Sequence, residues 1–397
     1  MQKAPVHLSS LLLGLKPTMR PIPKGRKPNE RYGDFLCGIL ALLLAVVLVF
    51  TGICFTRIQT VSSIKKLTGY ADGYNLYRMD VRYRYSLDDL IRYGVRDNQT
   101  MIDAISKEAL PLFPVKIKAP EFGCTAFTLT DNDGGVHMGR NYDFRSNTSA
   151  MLVYCTPEHG YKSVAFAALD NVSANVPEES IKKKLASLTA PFICLDGMNE
   201  KGVSIAVLIV DSEPVHQNTG KPTIFTSLVI RLVLDRAATT QEAVELLQGY
   251  DMFSAGGRDY HFYITDAKGD GRVVEYDCES DARELVATPV TAATNFYAIY
   301  QEKVLPNQKN SIYGHGRERH DAVLDVFRRQ EGNYTDDTVW EALRVTSQAP
   351  HPESLTSNTQ WSVAYNNTSL TADIVIRRNW NDIMHYDLKE NKNKRME

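Results

Sequence analysis

Residues 123–144 read GCTAFTLTDNDGGVHMGRNYDF, and this stretch decides the fold. Cys124 to Thr130 (CTAFTLT) is a β-type run, Asp131-Asn-Asp-Gly-Gly135 is strong turn chemistry, and Val136 to Phe144 (VHMGRNYDF) runs back. A hairpin of this length returns Arg140 and Asp143 toward the end at which Cys124 begins. A thiol with a reference pKa of about 8.5 is mostly protonated at neutral pH, and a neighbouring guanidinium favours the thiolate. A lone strand cysteine is also a small buried hydrophobe, and Asp143 beside Arg140 also reads as a surface ion pair.

Further strands are expected at 162–169, 203–210, 259–265, 272–277 and 371–377. Helices are expected at 223–236, 240–248 (with Thr239 and Glu242 as a capping box), 317–329 and 335–346. Upstream, Ser86 to Gly94 reads as a short helix with Ser86 as N-cap and Gly94 as its stop, and Asn98 to Leu110 as a second. Pro111, Pro114 and Pro120 then enforce an extended approach to the hairpin. Strands, helices, strands and helices in that order predict an α+β fold of stacked sheets covered by helices. No linker interrupts 120–390, so one catalytic-size domain is expected over 124–390.

Phe35 to Phe55 (FLCGILALLLAVVLVFTGICF) carries no charge over 21 residues. At 1.5 Å per residue it is about 31 Å long, enough for a hydrocarbon core of about 30 Å. Basic residues crowd its N-terminal side (Lys3, Lys16, Arg20, Lys24, Arg26, Lys27, Arg31), which predicts a single-pass signal anchor with a cytoplasmic N-terminus. The expected organisation is a cytoplasmic tail over 1–34, the span over 35–55, a polar stalk over 56–69 and a helical segment over 70–123. Everything after the span is expected outside the cytoplasm.

The chain has 397 residues with 45 Lys+Arg against 47 Asp+Glu, a balance without the basic excess that nucleic acid binding requires. Six cysteines at 37, 54, 124, 155, 194 and 278 are too few and too irregular for a disulfide scaffold, and Cys155, Cys194 and Cys278 read as buried thiols. CxxC and HExxH are absent, so zinc has no motif; GxxxxGK[ST], GxGxxG and GxSxG are absent too. His315 and His320 lack a sequence partner and read as structural. Asn98, Asn147, Asn171, Asn333, Asn366 and Asn367 are Asn-x-Ser/Thr positions.

Three motifs carry a resemblance: Cys124-Thr-Ala-Phe, Gly139-Arg-Asn-Tyr-Asp143, and Asp196-Gly-Met-Asn-Glu-Lys-Gly202 before an apolar strand. In this order they resemble the choloylglycine hydrolase family of linear amide C–N hydrolases, over about residues 120–388. That family includes penicillin V acylases and bile salt hydrolases, with acid ceramidase-like amidases as relatives. The resemblance implies the N-terminal-nucleophile fold, a four-layer αββα sandwich. It implies cleavage of the Gly123–Cys124 bond, after which the Cys124 thiol is the nucleophile and its own α-amine the base. That amine has a reference pKa of about 7.7–8.0, whereas a peptide nitrogen cannot act as a base. Arg140 is implied to stabilise the thiolate and contact substrate, and Asp143 to orient the α-amine. Ala293-Thr-Asn295-Phe resembles the segment carrying the oxyanion asparagine, Asn295. Glu318-Arg319-His320 resembles the segment with a second active-site arginine, Arg319 rather than Arg317. On residue chemistry alone Asn199 is a hairpin turn residue, Asn295 a strand end and Arg319 an exposed helix residue.

Two departures stand out. Bile salt hydrolases and penicillin acylases carry Asn or Tyr where this chain has Ile209, which puts their substrates in doubt here. The 67 residues of 57–123 resemble the long preceding segment of ceramidase-like members, retained after cleavage. The implied activity is hydrolysis of a small N-acyl amide through a Cys124 thioester, without a cofactor. Acyl transfer from the same thioester and a catalytically silent binding domain are the alternatives. The resemblance also allows an oligomer, since many members of that family form tetramers.

Overall fold

The computed structural model describes residues 28–111, 115–118, 122–309, 311–351 and 357–396. Most of the expected tail, with Pro114 and Pro120, lies outside the described residues. The chain divides into two compact units, Met1–Ile53 and Cys54–Glu397. In the first, the described residues belong to helix α1 (Pro28–Ser62), whose apolar side chains are exposed, Leu42 at 66% and Leu48 at 63%. By length and composition α1 could cross a membrane over Cys37–Ser62.

The second unit starts with the end of α1. Residues 56–69, expected as a stalk, pack in part: Thr60 is fully buried and Val61, Ile64 and Leu67 lie against the main core, while Ile58, Lys65 and Lys66 are exposed. Strand β1 (Leu76–Asp80) follows, then helices α2 (Leu87–Arg92) and α3 (Asn98–Ala109). Ser86 caps α2 by accepting from the Asp89 N–H, and Asp97 and Thr100 form a reciprocal capping box on α3. The predicted hairpin is β2 (Phe122–Thr130) and β3 (Val136–Phe144), in register from Phe122↔Phe144 to Thr130↔Val136. Asp131 Oδ1 accepts the Asp133 and Gly135 N–H groups and shapes the turn between them.

Next come β4 (Ala150–Cys155), β5 (Ser163–Ala168), β6 (Cys194–Asn199), β7 (Ser204–Val210), α4 (Thr226–Arg236) and α5 (Thr240–Leu247). Residues 223–225, expected within a helix, form a short strand. Then follow β8 (Asp259–Thr265), β9 (Arg272–Tyr276), β10 (Leu285–Pro289), α6 (Arg317–Arg329), α7 (Asp336–Thr346), β11 (Thr359–Asn366), β12 (Thr371–Ile376), β13 (Ile383–Asp387) and β14 (Lys392–Arg395).

One sheet of nine strands runs Lys65–Lys66, β1, β4, β5, β6, β7, β8, β9, β10; one of seven runs Ala292–Ala293, β2, β3, β11, β12, β13, β14. The segment expected to be helical therefore also contributes a strand, β1, paired parallel to β4. The sheets pack face to face. Phe166 on β5 meets Trp361 on β11 at 6.0 Å, and Tyr263 Oη on β8 donates to Thr128 Oγ1 on β2 at 2.9 Å. Helix α4 covers β6 and β7, and α6 and α7 cover the seven-stranded sheet, where Phe127 and Leu129 bury against Val323, Phe327 and Leu343. The layers are helix, sheet, sheet, helix, each closed by apolar burial on the facing side.

The heptad forms the β6–β7 hairpin. Asn199 is its turn residue: Oδ1 accepts the Lys201 and Val203 N–H groups while Nδ2 donates to the Leu234 and Ala237 carbonyls of α4 and its end. Gly202 has φ +77°, and a Cβ there would lie 2.3 Å from the Asn367 carbonyl oxygen, so glycine is required twice over. Two Asn-x-Ser/Thr positions, Asn171 and Asn367, are buried. All six cysteines are free, with Cys155 and Cys194 buried and Cys278 half-buried.

Candidate active site

Cys124 lies near the start of β2, fully buried between the sheets. The hairpin register sets Cys124 opposite Tyr142 and Gly123 opposite Asp143, so the backbone around the thiol is fixed by the pairing predicted from sequence. Arg140 and Asp143 are both fully buried on β3. The surface ion-pair reading of these two therefore fails, for lack of solvent.

Arg140 is held from the opposite sheet. Its Nε lies 3.4 Å from Asp196 Oδ2 and its Nη2 donates to the Val207 carbonyl at 2.8 Å. Asp196, the first residue of the heptad, also accepts from Trp361 Nε1 at 3.0 Å and Tyr365 Oη at 2.6 Å. The guanidinium thus reaches across the sandwich under restraint, and its Nη1 is buried without a hydrogen-bond partner among the described residues. The Cys124 sulfur is its neighbour.

Burial pushes the Cys124 thiol up to about 12, against the pull of Arg140 and of a hydrogen bond from the Asp143 backbone N–H. In the uncut chain the sulfur is a protonated thiol facing a cation. The Asp143 carboxylate accepts from Thr359 Oγ1 and Gln348 Nε2, each at 2.6 Å, and lies 3.8 Å from Arg319 Nη1. Burial raises the Asp143 carboxyl despite Arg319, its largest opposing influence.

Asn295 and Arg319 converge on the backbone of Cys124 itself. Asn295 Oδ1 accepts the Cys124 N–H at 2.8 Å and Arg319 Nη2 at 2.7 Å, while Asn295 Nδ2 donates to the Ile209 carbonyl at 2.9 Å. Two donors on one side and a carbonyl on the other fix the amide orientation. Arg319 Nη1 donates to the Cys124 carbonyl and, at 3.0 Å, to Thr125 Oγ1. In the uncut chain the acceptor on the Cys124 nitrogen is therefore Asn295, not Asp143, and the Asn295 amide N–H₂ faces Ile209. Arg319 is buried at the start of α6 rather than exposed, because Gly316, the N-cap, turns the chain into the sandwich at φ +87°. Arg317 pairs instead with Asp321 at 2.8 Å. The other four residues expected at the site thus gather around Cys124, with Asn295 on its N–H and Arg319 on its carbonyl.

Sequence reading missed Asp196 as the partner of Arg140, and Gln348 and Thr359 as the partners of Asp143. The heptad drew attention to Asp196 only as a motif. His315 and His320 do have carboxylate partners, contrary to expectation: Asp211 at 2.6 Å and Asp321 at 2.9 Å. Among the described residues one group has the proximity to hold a cation, Asp131, His137 and Asp336, and it sits at the turn end of the hairpin, away from Cys124.

The family model described as acyl-coenzyme A:6-aminopenicillanic acid acyl-transferase matches residues 130–379, beginning six residues beyond Cys124. No curated protein sequence matches the chain. Two structures of a conjugated bile acid hydrolase from Clostridium perfringens are similar at 15% identity and TM-score 0.52; each comparison covers 69% of this chain, and 96% or 97% of the other. A penicillin V acylase from Agrobacterium tumefaciens is similar at 17% identity and TM-score 0.49, covering 67% of this chain and 87% of the other. The fold shared with the bile acid hydrolase is that of the N-terminal-nucleophile hydrolases. With its fold and with more than half its length matched, the chain belongs to the acyl-coenzyme A:6-aminopenicillanic acid acyl-transferase family, of the penicillin acylase and choloylglycine hydrolase type.

Proposed function

We propose that this chain is a membrane-tethered cysteine amidase that opens its own Gly123–Cys124 bond and then hydrolyses a linear N-acyl amide. One observation carries the reading: the Cys124 sulfur, nitrogen and carbonyl are each engaged by a different buried side chain, Arg140, Asn295 and Arg319. Packing alone gives no reason to bury two guanidinium groups around one cysteine, since each carries a desolvation penalty of several kcal/mol.

In the opening step the thiol sulfur attacks the Gly123 carbonyl carbon and the Cys124 nitrogen leaves with the thiol proton. Water then cleaves the thioester, giving a Gly123 carboxylate and a free Cys124 α-amine. In turnover the α-amine takes the thiol proton, the sulfur forms a thioester with the acyl group, and the proton passes to the leaving amine. Water attacks the thioester in the second half. Arg140 favours the thiolate. A buried amide donor at a developing oxyanion is worth about 3–4 kcal/mol, which is the part proposed for Asn295 once its N–H₂ turns from Ile209.

A second reading, acyl transfer to an amine from the same thioester, is favoured by the description of the matched family. The tether is supported by the uncharged run of 35–55 and by the exposed apolar face of α1, with the basic flank favouring an extracytoplasmic catalytic unit. Intact-mass analysis of the purified protein is expected to find a new chain start at Cys124. Cys124→Ala is expected to abolish both chain opening and hydrolysis of N-acyl amides, and retention of either refutes the assignment. Product analysis with added amines separates hydrolysis from transfer.

A further inference from the structure

We infer that His261 and Glu275, a fully buried pair outside the set described above, are positioning residues that fix Asn295 and Arg319 against Cys124. The inference rests on the amidase reading. His261 on β8 and Glu275 on β9 are each fully buried, with His261 Nδ1 3.4 Å from Glu275 Oε2. The other ring nitrogen, Nε2, lies 2.8 Å from the Thr294 carbonyl oxygen. A carbonyl only accepts, so Nε2 carries the hydrogen. Thr294 immediately precedes Asn295.

Glu275 secures the far side of the same segment. Its two carboxylate oxygens accept the Ala298 and Ile299 N–H groups, each at 2.9 Å. The pair therefore grips the chain on both sides of Asn295, before it through the imidazole and after it through the carboxylate. The grip extends to the second arginine. Thr294 Oγ1 donates to the Gly316 carbonyl at 2.9 Å, and that carbonyl also accepts the Arg319 N–H at 3.1 Å in the first turn of α6. Moving Thr294 thus moves both the side chain that accepts from the Cys124 nitrogen and the helix start that aims a guanidinium at the Cys124 carbonyl.

An imidazole and a carboxylate buried together are expensive to desolvate, and a packed apolar pair of the same volume would serve the core at least as well. Among the described residues, every side-chain hydrogen bond of the pair other than the one between them goes to residues 294–299. The arrangement makes sense as preorganisation: a donor displaced by about 1 Å can cost about 10²-fold in rate.

The test uses the full-length protein in detergent, with two readouts. One is the rate of Gly123–Cys124 opening, which needs no substrate; the other is hydrolysis of a fluorogenic N-acyl aminocoumarin amide. His261→Leu is expected to slow opening and lower kcat by about 10²-fold with KM within about twofold, because the misplaced groups act in the transition state. His261→Gln, whose amide N–H reaches for the Thr294 carbonyl, is expected to recover most of the loss. Glu275→Gln is expected to slow both steps as His261→Leu does, and serves independently if the leucine variant does not fold. Wild-type opening and kcat in folded His261→Leu or Glu275→Gln overturn the inference, as does a His261→Gln variant no better than His261→Leu. If wild type neither opens nor hydrolyses the probe, the amidase reading itself fails, which is a different result.

Discussion

At Cys124 the backbone and sulfur are held by the same three side chains to which the proposed function gives roles toward the substrate. Asn295 takes the nitrogen hydrogen, Arg319 the carbonyl and Arg140 the sulfur. Burial keeps the thiol protonated at neutral pH; under the proposed function the sulfur gains its base only when the nitrogen beside it becomes an amine. Another buried acid has a consequence for stability. Asp259 accepts from Tyr297 Oη and Arg283 Nη2, yet burial outweighs both and raises its carboxyl from 3.8 to about 6. Between about pH 4 and 6 the folded state binds the proton more tightly than the unfolded chain. Stability therefore falls as pH rises through that window. Thermal melts from pH 4 to 6 are expected to show this decline, and Asp259→Asn is expected to flatten it.

Among the elements, strands with clear turn chemistry were legible. The hairpin of 124–144, the strands at 204–210 and 259–265 and helices α6 and α7 fall where alternation and caps put them. Strands β4, β10, β13 and β14 were not anticipated, nor was β11, the neighbour of β3 in the middle of the seven-stranded sheet: Thr359, Gln360 and Ser362 look like a loop in sequence. They are buried because they hydrogen-bond inward, Thr359 to Asp143 and Ser362 to Asn141. β1 escaped because its alternation is short and charged. The site residues were legible through their motifs, but their partners were not, since Asp196, Gln348 and Thr359 approach from elements far apart in sequence. The start of α6 is the most sensitive element. A Cβ on Gly316 would sit 2.4 Å from Arg319 Nη2 in a backbone at φ +87°. Gly316→Ala is expected to cost about 1–3 kcal/mol through strain and to slow chain opening at least tenfold by displacing Arg319. A melting curve and an opening time course check the two parts.

For the whole molecule, the decisive feature is how the segment before Cys124 is built in. Leu76, Tyr77 and Met79 of β1 are buried in the main core, where β1 pairs with β4. Tyr83 Oη donates to the Leu188 carbonyl at 2.6 Å. Three buried side chains of this size contribute about 5–8 kcal/mol by area, an upper figure against an extended chain. After opening at Cys124 the two pieces are expected to co-migrate in native gel filtration in detergent and to separate only under denaturant.

The parallel pairing of β1 with β4 has one more consequence. A protein made as one strand of covalent chain would become, after its own scission, a heterodimer whose sheet is completed by a neighbour it can no longer recapture by tether. Assembly would then be first order before the cut and second order after it. Each copy that opens would thus have had one unimolecular opportunity to fold, and an opened enzyme melted in dilute solution would return as separated halves.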